Sequence, residues 1–189
     1  EILGEAEALS PRSTAVHATH LAESDRQLLR EHGVTVCMCP TTERDLADGV
    51  GSARTVSSAD VPLSLGTDQN AVIDFFEEAR ALEMDERLAT GRRGHFRHAE
   101  LLEAMVNHRS LGWDDAGALV PGMRADLVAV RLDTPRTAGC PADEIVFAAG
   151  AGDVDTVVID GRVVVQGGRH RLGDVGALLD QAIGAAWQR

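Results

Sequence analysis

Short apolar runs alternate with amphipathic stretches over the first 108 residues, and this pattern leaves few folds open to the chain. Thr14 to His20 reads as a short apolar strand that ends in polar residues. Ser24 is expected to N-cap a helix running to about His32, with Leu28 and Leu29 inward and Gly33 as its stop. Val34 to Cys39 is a continuous apolar run closed by Pro40, the signature of a strand buried on both faces. A polar loop over Thr41 to Gly51 and a short helix over about Ser52 to Ala59 are expected next, followed by a third strand from Val61 to Asp68. Val72, Phe75, Ala79 and Leu82 recur at spacings of three and four, which predicts a helix over about Ala71 to Thr90. A further helix is expected over about His98 to His108. Strand–helix alternation of this kind implies parallel strands joined by right-handed crossovers, hence an α/β fold.

The pattern changes after Gly112, Gly117, Pro121 and Gly122, which cluster as a boundary. Ala125 to Leu132 and Val154 to Val165 read as strands, the second broken by Asp160-Gly161, a two-residue hairpin turn. Val175 to Trp187 is expected to form a terminal helix. The organisation predicted is therefore residues 1–108 as one α/β unit, 109–173 as linker and strands, and 174–189 as the helix.

A net charge of −12 argues against a nucleic-acid or anionic-membrane partner. No apolar run approaches the ~18 residues of a membrane span. With four Phe, two Trp and no Tyr, the core has to be built from Val, Leu, Ile and Ala. Cys37, Cys39 and Cys140 form no secreted disulfide framework and read as small core residues, consistent with a reducing cytoplasm. Glu1 to Glu7 carries neither an initiator Met nor a basic leader and reads as the middle of a helix, so further sequence is expected upstream.

In parallel α/β units, functional groups collect where strands run out at their C-terminal ends. Three such ends deliver His17 to His20, Pro40 to Glu43, and Thr67 to Asn70. His17 and His20 are three apart, so from a regular strand they cannot both chelate one ion. A histidine at a strand end also fits a packing or capping role, and Asp68 fits a helix cap as well as a metal ligand. Thr41, Thr42 and Glu43 are expected to line a pocket. Arg92, with Arg93 in the Gly91–His95 loop, is a candidate for pairing with a substrate carboxylate, against the alternative of a solvated basic loop. His32, His95, His98, His108 and His170 lack ligand spacing and read as surface or capping residues.

Taken together, Val16-His17-Ala18-Thr19-His20-Leu21, Cys39-Pro40-Thr41-Thr42-Glu43 and Leu65-Gly66-Thr67-Asp68 resemble the strand-six, strand-seven and strand-eight motifs of the amidohydrolase superfamily. Pro121 to Val130 and Val157 to Val165 resemble its small C-terminal β-sandwich. Within the superfamily the sequence is most similar to the N-formimidoyl-L-glutamate deiminases. That similarity rests on His17 to Leu21, Cys39 to Gly49, Phe76 to Arg80, Asp85 to Leu88 and Arg109 to Trp113. It departs at Asn70, where that family's Asp-x-His stretch has a histidine.

The resemblance implies the C-terminal part of a TIM-like (β/α)8 barrel, strands six to eight, with part of a β-sandwich. It implies one Zn2+ per site with Asp68 as a ligand, His17 and Asp68 as catalytic residues, and ammonia release from a small amidine substrate to give N-formyl-L-glutamate. The family's His-x-His pair, strand-five His and proton-shuttling Glu have no counterpart in the sequence and are expected upstream, in the N-terminal half of the barrel. Three strands cannot close a barrel of eight, so these 189 residues alone are expected to bind zinc poorly and to lack activity. A cytoplasmic homodimer is the expected state of the complete enzyme. Two other readings stay open: a ring-amidine hydrolase of the guanine-deaminase kind, and an inactive fragment.

Overall fold

A computed structural model describes residues 2–51 and 53–187. Its first layer is a sheet of three parallel strands, β1 (Thr14–Val16), β2 (Thr35–Met38) and β3 (Leu63–Leu65), in the order β1-β2-β3. The register pairs Ala15 with Val36 and Val16 with Cys37, then Val36 with Leu63 and Met38 with Leu65. All three strands are shorter than the apolar runs suggest.

Side chains alternate along a strand, so neighbours in register share a face. Val36, Met38 and Leu65 point to the side that holds the core, where they pack with Leu29, Val56, Leu82, Leu101 and Val146. Full burial of each such aliphatic side chain contributes about 1.5–3 kcal/mol. The other face carries Val16, Cys37 and Ser64, and Val16 stays exposed. Among the described residues no strand pairs with the outer edge of β1 or of β3.

Helices supply the second layer. α1 (Ile2–Glu5) is a single turn at the N-terminal end, and the expected continuation through Glu1 lies outside the described residues. The helix α2 (Glu23–Glu31) begins two residues earlier than expected, with Ala22 and not Ser24 at its N-cap position. Asp25 reaches back to accept the Ala22 N–H at 3.0 Å. The predicted loop after β2 is instead the helix α3 (Pro40–Asp45), with proline at its first turn and Pro40, Thr41, Thr42 and Glu43 all buried. Proline there costs nothing, since the first N–H groups of a helix have no intrahelical partner. α4 (Ala53–Ser58) follows; the expected start at Ser52 lies outside the described residues.

The helix α5 (Phe75–Thr90) starts later than its periodicity suggests, because Asp74 caps it by accepting the N–H groups of Phe76 and Glu77. Gly91, in the left-handed region at φ 67°, ends it. α6 (His98–Met105) then packs on α5 and β3 and stops short of the expected end at His108, where a separate 3-10 turn over His108–Leu111 begins.

The second sheet is antiparallel, β4 (Leu127–Val130), β5 (Val154–Ile159), β6 (Arg162–Gln166) and a short β7 (Arg169–His170), in chain order. The Asp160-Gly161 turn joins β5 to β6, with both residues at positive φ. Between β4 and β5 the chain leaves this sheet. The one-turn helix α7 (Ile145–Ala148) inserts Val146 into the main core, and the Arg80 guanidinium donates to the carbonyls of Val146 and Ala149. The first unit therefore draws part of its core from beyond residue 108. The terminal helix α8 (Val175–Trp187) has no buried residues.

Candidate active site

The three parallel strands end on one rim, and the backbone there is unusual. His17 and Ala18 sit at φ 66° and 47°, and Asp68 and Asn70 at φ 43° and 56°. Left-handed conformations in residues other than glycine are costly and gather where side chains must be aimed. At the end of β1 the ladder is kept by the His17 N–H, which donates to the Cys37 carbonyl at 2.8 Å, while the chain turns sharply through Ala18. At the end of β3, Gly66 donates to the Met38 carbonyl at 3.0 Å. A Cβ on Gly66 would lie 3.1 Å from the Cys39 sulfur and 3.3 Å from that of Cys37, so glycine lets the strands approach.

His17 lies between two carboxylates. Its Nδ1 is 3.3 Å from Glu43 Oε1, and its Nε2 is 3.5 Å from Asp68 Oδ2. Glu43 is buried in α3, and the same oxygen accepts the Cys39 N–H at 2.8 Å. Burial pushes the Glu43 carboxyl upward, partly offset by the hydrogen bonds from Cys39 and His17. Asp68 is more open, with 41% of its side chain exposed. The Cys39 sulfur joins His17 and Glu43 in a group whose donor atoms all lie within 4.8 Å of one another. The neighbouring Cys39 thiol holds the Cys37 thiol down at about 7, and the same pairing with burial pushes Cys39 upward.

Of the residues expected here, His17, Glu43 and Asp68 come together. Thr41 and Thr42 have their donors engaged within the fold. Thr41 donates from both its backbone N–H and its hydroxyl to the buried Glu78 carboxylate, and the Thr42 hydroxyl donates to the Thr67 carbonyl. Their donors bind α3 to its neighbours and are not free for a substrate. Arg92 is displaced from the rim. α5 leaves the rim at Phe75 and runs 16 residues away from it, about 24 Å of helix. Arg92 follows its far end, and the same connection carries Phe96 and Arg97 to a cleft beside Val61 and Pro62, at the start of β3. His20 is exposed on a bend, outside the cluster.

What the sequence reading missed is the helix that brings Glu43 beneath His17. Pro40 directly after Cys39 was the available signal, since proline favours the first turn of a helix. The left-handed backbone at His17 and Asp68 has no comparable signature.

The donor set suits a zinc ion in part. Zinc takes imidazole nitrogen and carboxylate oxygen, and His17 Nε2 and the accessible Asp68 carboxylate offer both on one rim. Among the described residues, the other possible ligands gathered there are Glu43 and Cys39.

Residues 1–164 match the model of the Amidohydrolase family, and the chain belongs to that family. It is 33% identical over 159 residues to a 5-methylthioadenosine/S-adenosylhomocysteine deaminase of Desulfitobacterium hafniense, covering 80% of this chain and 37% of that protein. It is 30% identical over 182 residues to a 5'-deoxyadenosine deaminase of Methanosarcina mazei, covering 93% of this chain and 42% of that protein. The crystal structure of an adenosine deaminase from Xanthomonas campestris with bound zinc superposes with a TM-score of 0.88 at 29% identity, over 97% of this chain and 44% of that one. The chain thus spans about two fifths of the length of the relatives it matches. No helix among the described residues is long and apolar enough to cross a membrane.

Proposed function

We propose that this chain forms the last three strands, six to eight, of a metal-dependent hydrolase barrel, and that it supplies His17 and Asp68 to a hydrolytic deamination. The observation that carries this is the placement of His17 Nε2 within 3.5 Å of the Asp68 carboxylate, at the C-terminal ends of parallel strands. The open edges of β1 and β3 support a sheet continued by further strands.

Asp68 would hold zinc, with His17 beside it. Zinc when bound acts as a Lewis acid that brings the pKa of water near neutral. In this reading Asp68 orients the attacking water and accepts its proton. The water oxygen forms a bond to the amidine carbon, the carbon–nitrogen bond breaks, and nitrogen leaves as ammonia after gaining protons. His17 Nε2 holds or returns a proton beside the reacting carbon.

For the substrate we favour N-formimidoyl-L-glutamate, giving N-formyl-L-glutamate. Support comes from the likeness of His17 to Leu21 and Cys39 to Gly49 to the sequences of that family. Adenine nucleosides are the second reading, favoured by the names of relatives 30–33% identical. The test is ammonia release by zinc-loaded enzyme of the relatives' length containing this chain, with N-formimidoyl-L-glutamate, 5-methylthioadenosine, 5'-deoxyadenosine and guanine offered separately. Turnover of the first alone is expected, with Asp68→Asn lowering it by about 10²–10⁴-fold. Turnover of a nucleoside or guanine without formimidoyl-glutamate would overturn the substrate assignment, and no ammonia from any of them would overturn the deaminase reading.

A further inference from the structure

We propose that Glu43 is a positioning residue that fixes the tautomer of His17, and that it does not contact substrate. The idea rests on the reading of His17 as a proton-handling group.

Glu43 is 3% exposed, so it has little access to a bound molecule. Its Oε1 accepts the Cys39 N–H at 2.8 Å and lies 3.3 Å from His17 Nδ1. A carboxylate only accepts; of the two facing the ring, Glu43 lies within hydrogen-bond geometry of Nδ1 whereas Asp68, 3.5 Å from Nε2, makes no hydrogen bond to it, so in the neutral ring Nδ1 is the nitrogen that carries hydrogen. Neutral His17 is then the Nδ1–H form, with the Nε2 lone pair directed to the Asp68 side of the rim. The backbone bond from Cys39 anchors the carboxylate, and the left-handed turn at His17 aims the ring. A histidine is oriented in this way whenever its second nitrogen meets a fixed acceptor, and removing such a partner lowers activity by about 10–100-fold in metal sites.

Two substitutions separate this role from others. Glu43→Gln keeps an acceptor oxygen for both N–H groups, whereas Glu43→Leu keeps bulk and removes the acceptor. Long-range 1H–15N spectra of the His17 ring, at a pH where it is neutral, read the tautomer in the full chain without any need for activity. Wild type and Glu43→Gln are expected to show the Nδ1–H form, and Glu43→Leu to lose it. In the zinc-loaded longer enzyme, Glu43→Leu is expected to lower kcat about 10–100-fold with KM little changed, and Glu43→Gln to recover most of the loss. An Nε2–H tautomer in wild type would overturn the proposal, even if Glu43→Leu fails to fold. So would a folded Glu43→Leu that retains Nδ1–H, or one that raises KM and spares kcat. Failure of the deaminase reading would show differently, as absent turnover with the tautomer still in place.

Discussion

Buried carboxylates divide the labour around the rim, and their partners decide which of them is structural. Glu78 is fully buried and receives two bonds from Thr41, one from its N–H and one from its hydroxyl, while burial pushes its carboxyl upward. That arrangement fastens the start of α3 to α5 and so fixes the height of Glu43 below His17. Truncating Glu78 would strand both Thr41 donors inside the protein, and a buried donor left unpaired costs about 1–3 kcal/mol. Glu78→Ala is therefore expected to lower the unfolding free energy by at least that range in urea titrations. An unchanged midpoint would mean that water replaces the carboxylate. Asp68 differs from Glu78 in its exposure and in being free to meet something outside the chain, which is why it, and not the better-bonded Glu78, is the candidate ligand.

At the level of elements, the parallel order β1-β2-β3 was readable because apolar runs and amphipathic helices differ in period. The Asp160-Gly161 hairpin was readable because its residues tolerate positive φ. α3 was not, because Thr41, Thr42 and Glu43 look like a solvated loop, and only their partners in α5 and β1 make burial affordable. The same holds for α7, whose four residues carry no pattern of their own and are placed by tertiary contacts. One tie in that region has a measurable consequence. The Arg136 guanidinium and the Gly150 N–H hold the Asp153 carboxyl down at about 2. Its folded pKa lies below the unfolded value of about 3.9, so its stabilisation is complete above that pH and is lost as pH falls toward 2. Acid titration of unfolding is expected to show a loss of stability over that window, and Arg136→Leu is expected to flatten it. Identical slopes in the two proteins would remove Asp153 from the account.

Across the whole molecule, the candidate site is one arc of a larger rim. The sequence placed its two strand-end residues, His17 and Asp68, because strand ends follow from topology. Arg92, open to reading as a carboxylate partner or as part of a solvated basic loop, is exposed beyond the far end of the 16-residue α5, and a loop position says nothing about which end of a helix it follows. The proposal as a whole stands on Asp68 binding zinc with His17 facing the same site. A crystal structure of the zinc-loaded enzyme containing this chain, with the metal located by anomalous scattering, tests it most directly. An Asp68 oxygen is expected about 2.0–2.2 Å from zinc, with His17 Nε2 facing the same site. Zinc bound elsewhere, with Asp68 turned to solvent, would contradict it.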